Sequence, residues 1–410
     1  MEDRRGWVYS PEKRGTMDIL WTCGSTLFIC LWSMLHLNVP AKHDTQRTIL
    51  WRKTRWLTLG VLAPEIPMLI ACGQWASAKR NHGKMRRLGY KESQWTLEHS
   101  FFADMGGFEL ETLDRDPFPI TAKQVTWLIE NGFVDLPNIT QKEIWDKSNA
   151  DKFSKFLACF QTGFITIEAI VRTAHGLPIS PLELCTIALA LTSLTTTSFW
   201  IRKPLDVMSA ITLHTECTIA EIRKCGGDTS TWMPGHRKSQ LEFIEPRPYI
   251  FRKWSPIVER FIIRAGLQTQ PMSRIPNDRD PQFSNSIQYL SMAFATFLFG
   301  SIHFIGWNFS FEKEWELWLW RINCCVVSGL LTLYGTVELI ACFREGFQTM
   351  GMDTMNGFKL RWPTCLWFVV PGAVYGLGRS LLVVEVLYSM RSLPAGCFEQ
   401  VKWLSVIPHL

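Results

Sequence analysis

The chain alternates between long apolar runs and charged stretches. Several runs are long enough to cross a bilayer as helices, which takes about 20 apolar residues; they are 19–41, 56–78, 184–201, 285–307, 317–343 and 362–390. A further run at 156–171 is a weaker candidate that also fits an interfacial or core helix. The pattern predicts an all-α integral membrane protein, a bundle of six to seven transmembrane helices with two long polar loops.

The polar and apolar stretches divide the chain into six segments. These are 1–78, an N-terminal tail with the first two membrane helices; 79–153, a polar helical insert in the cytosol; 154–201, a helical hairpin whose second helix clearly spans; 202–286, a long basic cytosolic loop; 287–390, three C-terminal membrane helices; and 391–410, a tail. Inside the insert, Thr121 and Thr140 at N-cap positions predict two short helices, the first closed by Gly132.

Basic residues at the ends of the apolar runs indicate how the chain crosses the membrane. The Lys- and Arg-rich stretch 79–91 places the insert in the cytosol by the positive-inside rule, and the N-terminus with it. The connector 40–55 would then face the other side, although it is also rich in Lys and Arg. The first two helices therefore carry an internal conflict in their predicted orientation.

The run 56–78 contains one charge, Glu65, between Pro64 and Pro67. Two prolines three residues apart disturb a helix, because each lacks an N–H and its ring clashes with the preceding turn. A carboxyl beside a broken turn at membrane depth must face protein or water. Glu65 is the first candidate catalytic residue, as a group that gives or holds a proton. The alternative is that it binds backbone groups freed by the prolines.

Further candidates lie on both sides of Gly106 and Gly107. His99, Asp104 and Glu109 are polar side chains close in sequence to the second apolar run. They predict a pocket at the membrane face, and a role in folding the insert is the alternative. Outside this stretch, Glu168 and Arg172 are four residues apart and predict a structural ion pair on one helix face.

Within the last apolar runs, Arg379 and Glu385 are six residues apart. This spacing places them on nearly opposite faces of one helix, so a contact with another helix is expected for either. His303 and Glu338, in other apolar runs, are each expected to lie near a helix end or to make one interhelical bond.

Composition refines the class without naming a function. The chain is 47% hydrophobic with 19 Trp, and its mean hydropathy of +0.03 suits membrane helices joined by sizeable loops. The net charge of +6 is modest and its basic residues flank apolar runs, which favours a membrane surface over nucleic acid. Most of the 12 cysteines lie in apolar runs and no C-x-x-C pair occurs, so neither a disulfide framework nor a zinc ribbon is expected.

Metal and cofactor motifs are absent from the sequence. The set His214, Cys217, Cys225 and His236 matches no common metal spacing, so no metal is expected. The sequence has no nucleophile elbow, P-loop, dinucleotide fingerprint, H-E-x-x-H or paired-aspartate prenyl-diphosphate box. These absences disfavour nucleotide-driven transport, hydride transfer and diphosphate ionisation, and they predict chemistry without a cofactor.

Short phrases spread along nearly the whole chain resemble a large family of fungal polytopic membrane proteins, mostly of unassigned activity. They are Gly15–Trp21, His36–Pro40, Ala63–Glu65, Trp95–Phe108, Asp146–Ser148, Gly176–Ile179, Lys203–Val207 and Arg391–Pro394. Arg202 departs from the pattern, which more often has an aromatic or amide residue there. The resemblance implies a fungal source, an intracellular membrane such as the endoplasmic reticulum, and a place in secondary-metabolite pathways. It supplies no catalytic residues.

Together these observations predict a cofactor-free cyclase or isomerase for a lipophilic polyketide or terpenoid intermediate, with Glu65 handling the proton. The expected partners are the membrane, the lipophilic substrate and other pathway enzymes, and no nucleic acid. Two alternatives remain from the sequence. One is a transporter or efflux helper for the metabolite. The other is a scaffold that gathers pathway enzymes on the loops 92–152 and 202–286.

Overall fold

The computed structural model describes residues 3–10, 14–148, 151–227, 239–241, 243–244, 272–277, 286–345 and 362–400. Most of these residues are helical. The helices are α1 (Thr16–Ser33), α2 (Gln46–Leu62), α3 (Glu65–Arg87), α4 (Leu97–Asp104), α5 (Ala122–Glu130), α6 (Gln141–Asp146), α7 (Asp151–Ala174), α8 (Pro181–Phe199), α9 (Ile219–Cys225), α10 (Ser286–Ile302), α11 (Glu314–Glu345) and α12 (Trp362–Ser389). The strands are β1 (Arg4–Arg5), β2 (Phe108–Thr112), β3 (Arg115–Ile120), β4 (Ile211–His214) and β5 (Leu393–Pro394).

Within the described residues, four helices are long and apolar enough to cross a membrane. They lie in α7, α8, α11 and α12. The bent pair of α2 and α3 would make a fifth only if it counts as one span. The expected six or seven spans are therefore not confirmed. The first predicted span, 19–41, is a helix that ends at Ser33, and the apolar part of the 285–307 run is a shorter stretch, Ala293–Gly306.

The bundle has two distinct ends. Helices α1, α7 and α8 pack against one another, and α1 and α8 run in the same direction. The N-termini of α1 and α8 meet where Arg14 binds Glu183 at 2.6 Å, beside the segment 391–399. We call this the tail end. The opposite ends meet where the Lys203 ammonium donates to the His36 carbonyl at 2.6 Å. We call this the sheet end.

A small mixed sheet covers the sheet end. Its order is β3-β2-β4, with β2 antiparallel to β3 and parallel to β4. Strand β4 comes from the loop 202–286, so residues of both long loops build one unit around a shared core that includes Phe102, Phe108 and Leu128. We call this the sheet unit. Residues of the two loops therefore lie at the same end of the bundle. The sheet itself departs from the predicted all-α fold. Strand β2 alternates apolar and charged residues but is only five residues long, and β3 contains two prolines, which are unusual in a strand.

Local helix signals in the insert are confirmed. The Thr121 side chain accepts a hydrogen bond from the Gln124 backbone N–H at the start of α5. The Thr140 side chain does the same for the Glu143 N–H at the start of α6. Gly132 follows α5 with φ of 72°, a left-handed conformation that glycine adopts without a steric penalty.

Helices α2 and α3 meet at a bend of 110°, beside Pro64. Both outer ends of the pair lie at the sheet end. Before α2, Lys42 binds Glu109 of β2 at 2.7 Å; within α2, Lys53 binds Asp206 at 2.7 Å. The far end of α3 packs on α4 and α5. The straight span predicted over 56–78 is thus replaced by two helices that enter and return at one end. This removes the charge conflict, because 40–55 and 79–91 lie on the same side.

The same arrangement places the N-terminal tail and the sheet at opposite ends of the bundle. Helix α1 joins the two ends, and its 18 residues are about 27 Å long. The sequence-based placement of the N-terminus beside the insert is not supported by these contacts. We expect an epitope added before residue 1 to be protected from protease in sealed microsomes, while an epitope inserted after Asn138 is digested. Digestion of both epitopes in intact microsomes would contradict this topology.

Candidate functional site

Polar side chains gather inside the bundle where α2 meets α3. Arg379 of α12 is only 1% exposed. Its Nη1 lies 3.1 Å from His303 Nε2, and its Nη2 donates to the Val61 carbonyl at 3.1 Å. His303 Nδ1 lies 3.2 Å from the Phe299 carbonyl, which can only accept, so Nδ1 carries the proton and Nε2 accepts from Arg379. The interhelical bond predicted for His303 is confirmed.

The break before α3 explains why Arg379 binds there. In an uninterrupted helix the Val61 carbonyl would accept from the N–H of Glu65, four residues later. Helix α2 ends at Leu62 and α3 begins at Glu65, so that carbonyl is free and the guanidinium satisfies it. The backbone group freed by the prolines is therefore bound by Arg379.

Glu65, the first residue of α3, faces this cluster. Its carboxyl interacts with the Tyr375 hydroxyl and with the charge of Arg379. Three buried polar atoms here have no hydrogen-bond partner among the described residues: Glu65 Oε2, Tyr375 Oη and Arg379 Nε. We call Glu65, His303, Tyr375 and Arg379 the break cluster. It brings a carboxyl, a hydroxyl and a guanidinium together in one place.

The break cluster lies next to the exposed surface of α12. Tyr375 is partly exposed, and its neighbours on α12, Val374 and Leu377, are exposed by 43% and 62%. Glu65 is partly exposed as a residue, although its Oε2 atom is buried. The exposed surface of α12 beside the cluster is therefore apolar, while the polar atoms of the cluster themselves are buried.

A second buried site lies at the sheet end around Lys203. Its ammonium donates to the His36 carbonyl, to Asn38 Oδ1 at 2.9 Å and to Gln74 Oε1 at 2.8 Å, and it lies 4.9 Å from the Trp200 ring. Burial lowers the pKa of Lys203 to about 7, although the nearby negative charge of Asp104 acts to raise it.

Sequence reasoning did not single out Lys203. One sequence feature could have pointed to it: Lys203 is the first residue of 203–207, a segment that carries the family resemblance. In the structure this segment contacts another such segment, 36–40. Asp104, a predicted site residue, is buried at the end of α4 close to Lys203. Gln74 lies nine residues after Glu65, so the two buried sites are roughly 13 Å apart along α3.

The other two predicted site residues hold the sheet unit together. His99 Nδ1 accepts from the Thr96 backbone N–H at 3.2 Å, and Nε2 then donates to the Ile139 carbonyl at 2.8 Å. Burial lowers the pKa of His99, which keeps the ring neutral. Glu109 binds Lys42 on the sheet. The structure therefore separates Glu65 from His99, Asp104 and Glu109, and their catalytic roles stay predictions.

The ion pair predicted for Glu168 and Arg172 is not formed. Glu168 lies 3.5 Å from Arg14, which also binds Glu183. Arg172 is fully buried and donates to backbone carbonyls, those of residues 178, 396, 397 and 399. Both charges serve the tail end of the bundle.

Among the described residues, no group of three or more His, Cys, Asp or Glu side chains is placed to hold a metal ion. His214 lies 2.7 Å from Glu111 on the sheet. His236, the last member of the set noted in the sequence, lies outside the described residues.

Over the residues that the structure describes, the protein is mostly helical, with four helices that could span a membrane and a small sheet unit at one end. The chain belongs to a family of unknown function, DUF8562, which matches residues 1–226. No curated protein and no solved structure matches it. The matched region includes Glu65 and Lys203, whereas His303, Tyr375 and Arg379 lie beyond it.

Proposed function

We propose that the protein is a membrane-embedded, cofactor-free cyclase or isomerase acting on a lipophilic polyketide or terpenoid intermediate. The observation that carries the proposal is the convergence of three buried polar atoms, Glu65 Oε2, Tyr375 Oη and Arg379 Nε, none of which forms a hydrogen bond of ordinary geometry. Buried polar groups are nearly always hydrogen-bonded, so several orphans in one place require an explanation. A substrate that completes these bonds supplies one, and ionisable groups at membrane depth are commonly functional.

Each member of the break cluster has a distinct role in this scheme. Glu65 Oε2 takes a proton from the substrate and the Tyr375 hydroxyl returns one at another position. Tyr375 then regains its proton from Glu65, so the reaction leaves atoms and electrons unchanged overall. Arg379 stays fixed by His303 and the Val61 carbonyl, and its charge balances that of the carboxylate.

The surroundings of the cluster support a lipophilic substrate. The apolar side chains on α12 beside Tyr375 face outward, so entry from the bilayer needs no aqueous channel. The resemblance to fungal polytopic proteins supports the further proposal that the reaction belongs to a secondary-metabolite pathway at an intracellular membrane, with the endoplasmic reticulum as the proposed location. The sheet unit would then face the cytosol, where soluble pathway enzymes can approach it.

Replacing Glu65 by glutamine tests the proposal. Glu65→Gln keeps the shape of the side chain but cannot take a proton, so we expect product formation to fall at least a hundredfold, the scale of general acid–base catalysis. The measurement is the metabolite profile of a deletion strain that re-expresses the variant at the wild-type level. An unreacted precursor should accumulate.

Glu385→Gln is the matched control. It makes the same chemical change at another buried carboxyl of the membrane bundle, on the helix that carries Tyr375. We expect this variant to keep product formation. Full product formation by Glu65→Gln would overturn the proposal. Intact chemistry with product retained in deletion cells would indicate a transporter, and loss caused only by deletions in 92–152 or 202–286 would indicate a scaffold.

A further inference from the structure

Helix α2 is held at the sheet end by its own charged side chains. Lys53 binds Asp206 and lies 5.1 Å from the Trp32 ring, while Arg52 binds Asp44 at 2.7 Å. Further lysine–tryptophan contacts follow the same end of the bundle: Lys79 over Trp75 at 4.5 Å and Lys155 over Trp145 at 5.9 Å. Tryptophan and lysine are typical of the membrane–water boundary. These contacts place α2 at that boundary.

The two faces of α2 differ in chemistry. Its inner face packs Trp56, Leu57 and Val61 against the end of α1. Its outer face carries Arg47, Trp51 and Arg55, spaced four residues apart and therefore on one stripe. Trp51 is 65% exposed. Beside this stripe, Leu50 is 56% exposed. The outer face thus combines two cations with exposed apolar groups.

The cations of this stripe have no counterion in the part of the chain that the structure describes. Arg52 and Lys53 both form ion pairs, but no ion pair of the described residues involves Arg47 or Arg55. Eight residues of helix separate the two guanidinium groups by roughly 12 Å. Guanidinium binds phosphate through two parallel hydrogen bonds. The stripe is complementary to phosphate groups lying in a plane.

We infer that the outer face of α2 binds the headgroups of anionic phospholipids in the leaflet at the sheet end. Arg47 and Arg55 each bind a phosphate, Trp51 lies at the headgroup level between them, and Leu50 enters the acyl boundary. A free anion would account for the arginines alone. The exposed tryptophan and leucine next to them favour a lipid. This inference is independent of the proposed catalytic role of Glu65.

Titration of the full-length protein in detergent with short-chain phosphatidylserine tests the inference. The double variant Arg47→Gln, Arg55→Gln should bind roughly thirtyfold more weakly than wild type, since each cation near a phospholipid surface contributes about a fivefold factor. Wild-type affinity should also fall as salt rises. Because both arginines are exposed, the thermal midpoint should not change, so lost binding cannot be ascribed to unfolding.

Matched controls make the result specific. The variant Lys142→Gln, Lys224→Gln removes the same charge from exposed positions of the sheet unit and should bind phosphatidylserine as wild type does. Trp51→Ala should weaken phosphatidylserine binding. Equal binding by wild type and the double arginine variant would overturn the inference. So would equal affinity for short-chain phosphatidylcholine, or full competition by inorganic phosphate at the same concentration, which indicates a general anion site.

Discussion

Replacing Lys203 with methionine should destabilise the protein by about 2 kcal/mol or more, at roughly 1 kcal/mol for each buried acceptor that loses its ammonium donor. The acceptors are the His36 carbonyl and Asn38 Oδ1, whereas Gln74 Oε1 keeps the hydrogen bond that it accepts from Trp200 Nε1. The change also leaves Asp104 buried without its neighbouring cation, which adds to the loss. The measurement is the thermal midpoint and the yield of folded protein in detergent.

The control for this variant is Lys84→Met. Lys84 pairs with Glu130 on the exposed surface of the sheet unit, and exposed ion pairs contribute at most about 1 kcal/mol. Both variants remove one lysine charge and introduce the same side chain. A Lys203→Met midpoint equal to that of Lys84→Met would show that the His36 carbonyl and Asn38 Oδ1 do not depend on this ammonium.

Lys203 also predicts how stability changes with pH. Burial lowers its pKa from 10.5 to about 7 in the folded protein. Between these two values the unfolded lysine holds a proton that the folded lysine has released, so stability rises as pH increases across this window. Below about pH 7 both states are protonated and Lys203 adds no slope. Lys203→Met should remove the rise, which denaturant unfolding at pH 7, 8 and 9 would measure.

Replacing Arg172 with methionine should release the C-terminal segment at the tail end and cost about 3–5 kcal/mol, the usual loss when one partner is removed from a buried charged network. The guanidinium alone joins four carbonyls of two segments, 178 and 396–399. Arg172→Lys should recover only part of the stability, because a single ammonium cannot reproduce the planar fork. Thermal unfolding gives the size of the effect.

Limited proteolysis distinguishes local release from global unfolding in this variant. If Arg172 fixes the segment 391–399, the first cut in Arg172→Met should fall there while the rest of the chain stays intact. Arg87→Met, which changes an exposed arginine at the sheet end, should leave both the midpoint and the cleavage pattern unchanged. An intact C-terminal segment in Arg172→Met would contradict the role given to the guanidinium.

Features that depend on neighbours in sequence could be predicted. The N-caps at Thr121 and Thr140 depend on hydrogen bonds between residues three apart in sequence. The break in the helix before Glu65 follows from the chemistry of Pro64. The polar surroundings of Glu65 could also be predicted from the sequence, because a lone acid in an apolar run needs a polar environment. Its neighbours Tyr375 and Arg379 are more than 300 residues away, and nothing in the sequence joined them to it.

Contacts between distant segments explain the predictions that differ from the structure. A spacing of four residues favoured a pair between Glu168 and Arg172, but carbonyls more than 200 residues away bind Arg172 instead. Strand β4 pairs with β2 across about a hundred residues, so this parallel pairing had no local signal. Lys203 looked like one more basic residue at the end of a span, and only folding shows that it is buried.

Helix α3 begins at the break cluster and ends inside the sheet unit, a single rod of 23 residues and about 34 Å. A tilt of the sheet unit by about 3° about the far end would therefore swing Glu65 by nearly 2 Å on that length. In mechanical terms, the sheet unit acts on α3 as a lever, so a small tilt of the unit becomes a larger displacement of Glu65. The sheet unit is therefore not a detachable domain, and a binding partner that tilts it would also shift the Glu65 carboxyl.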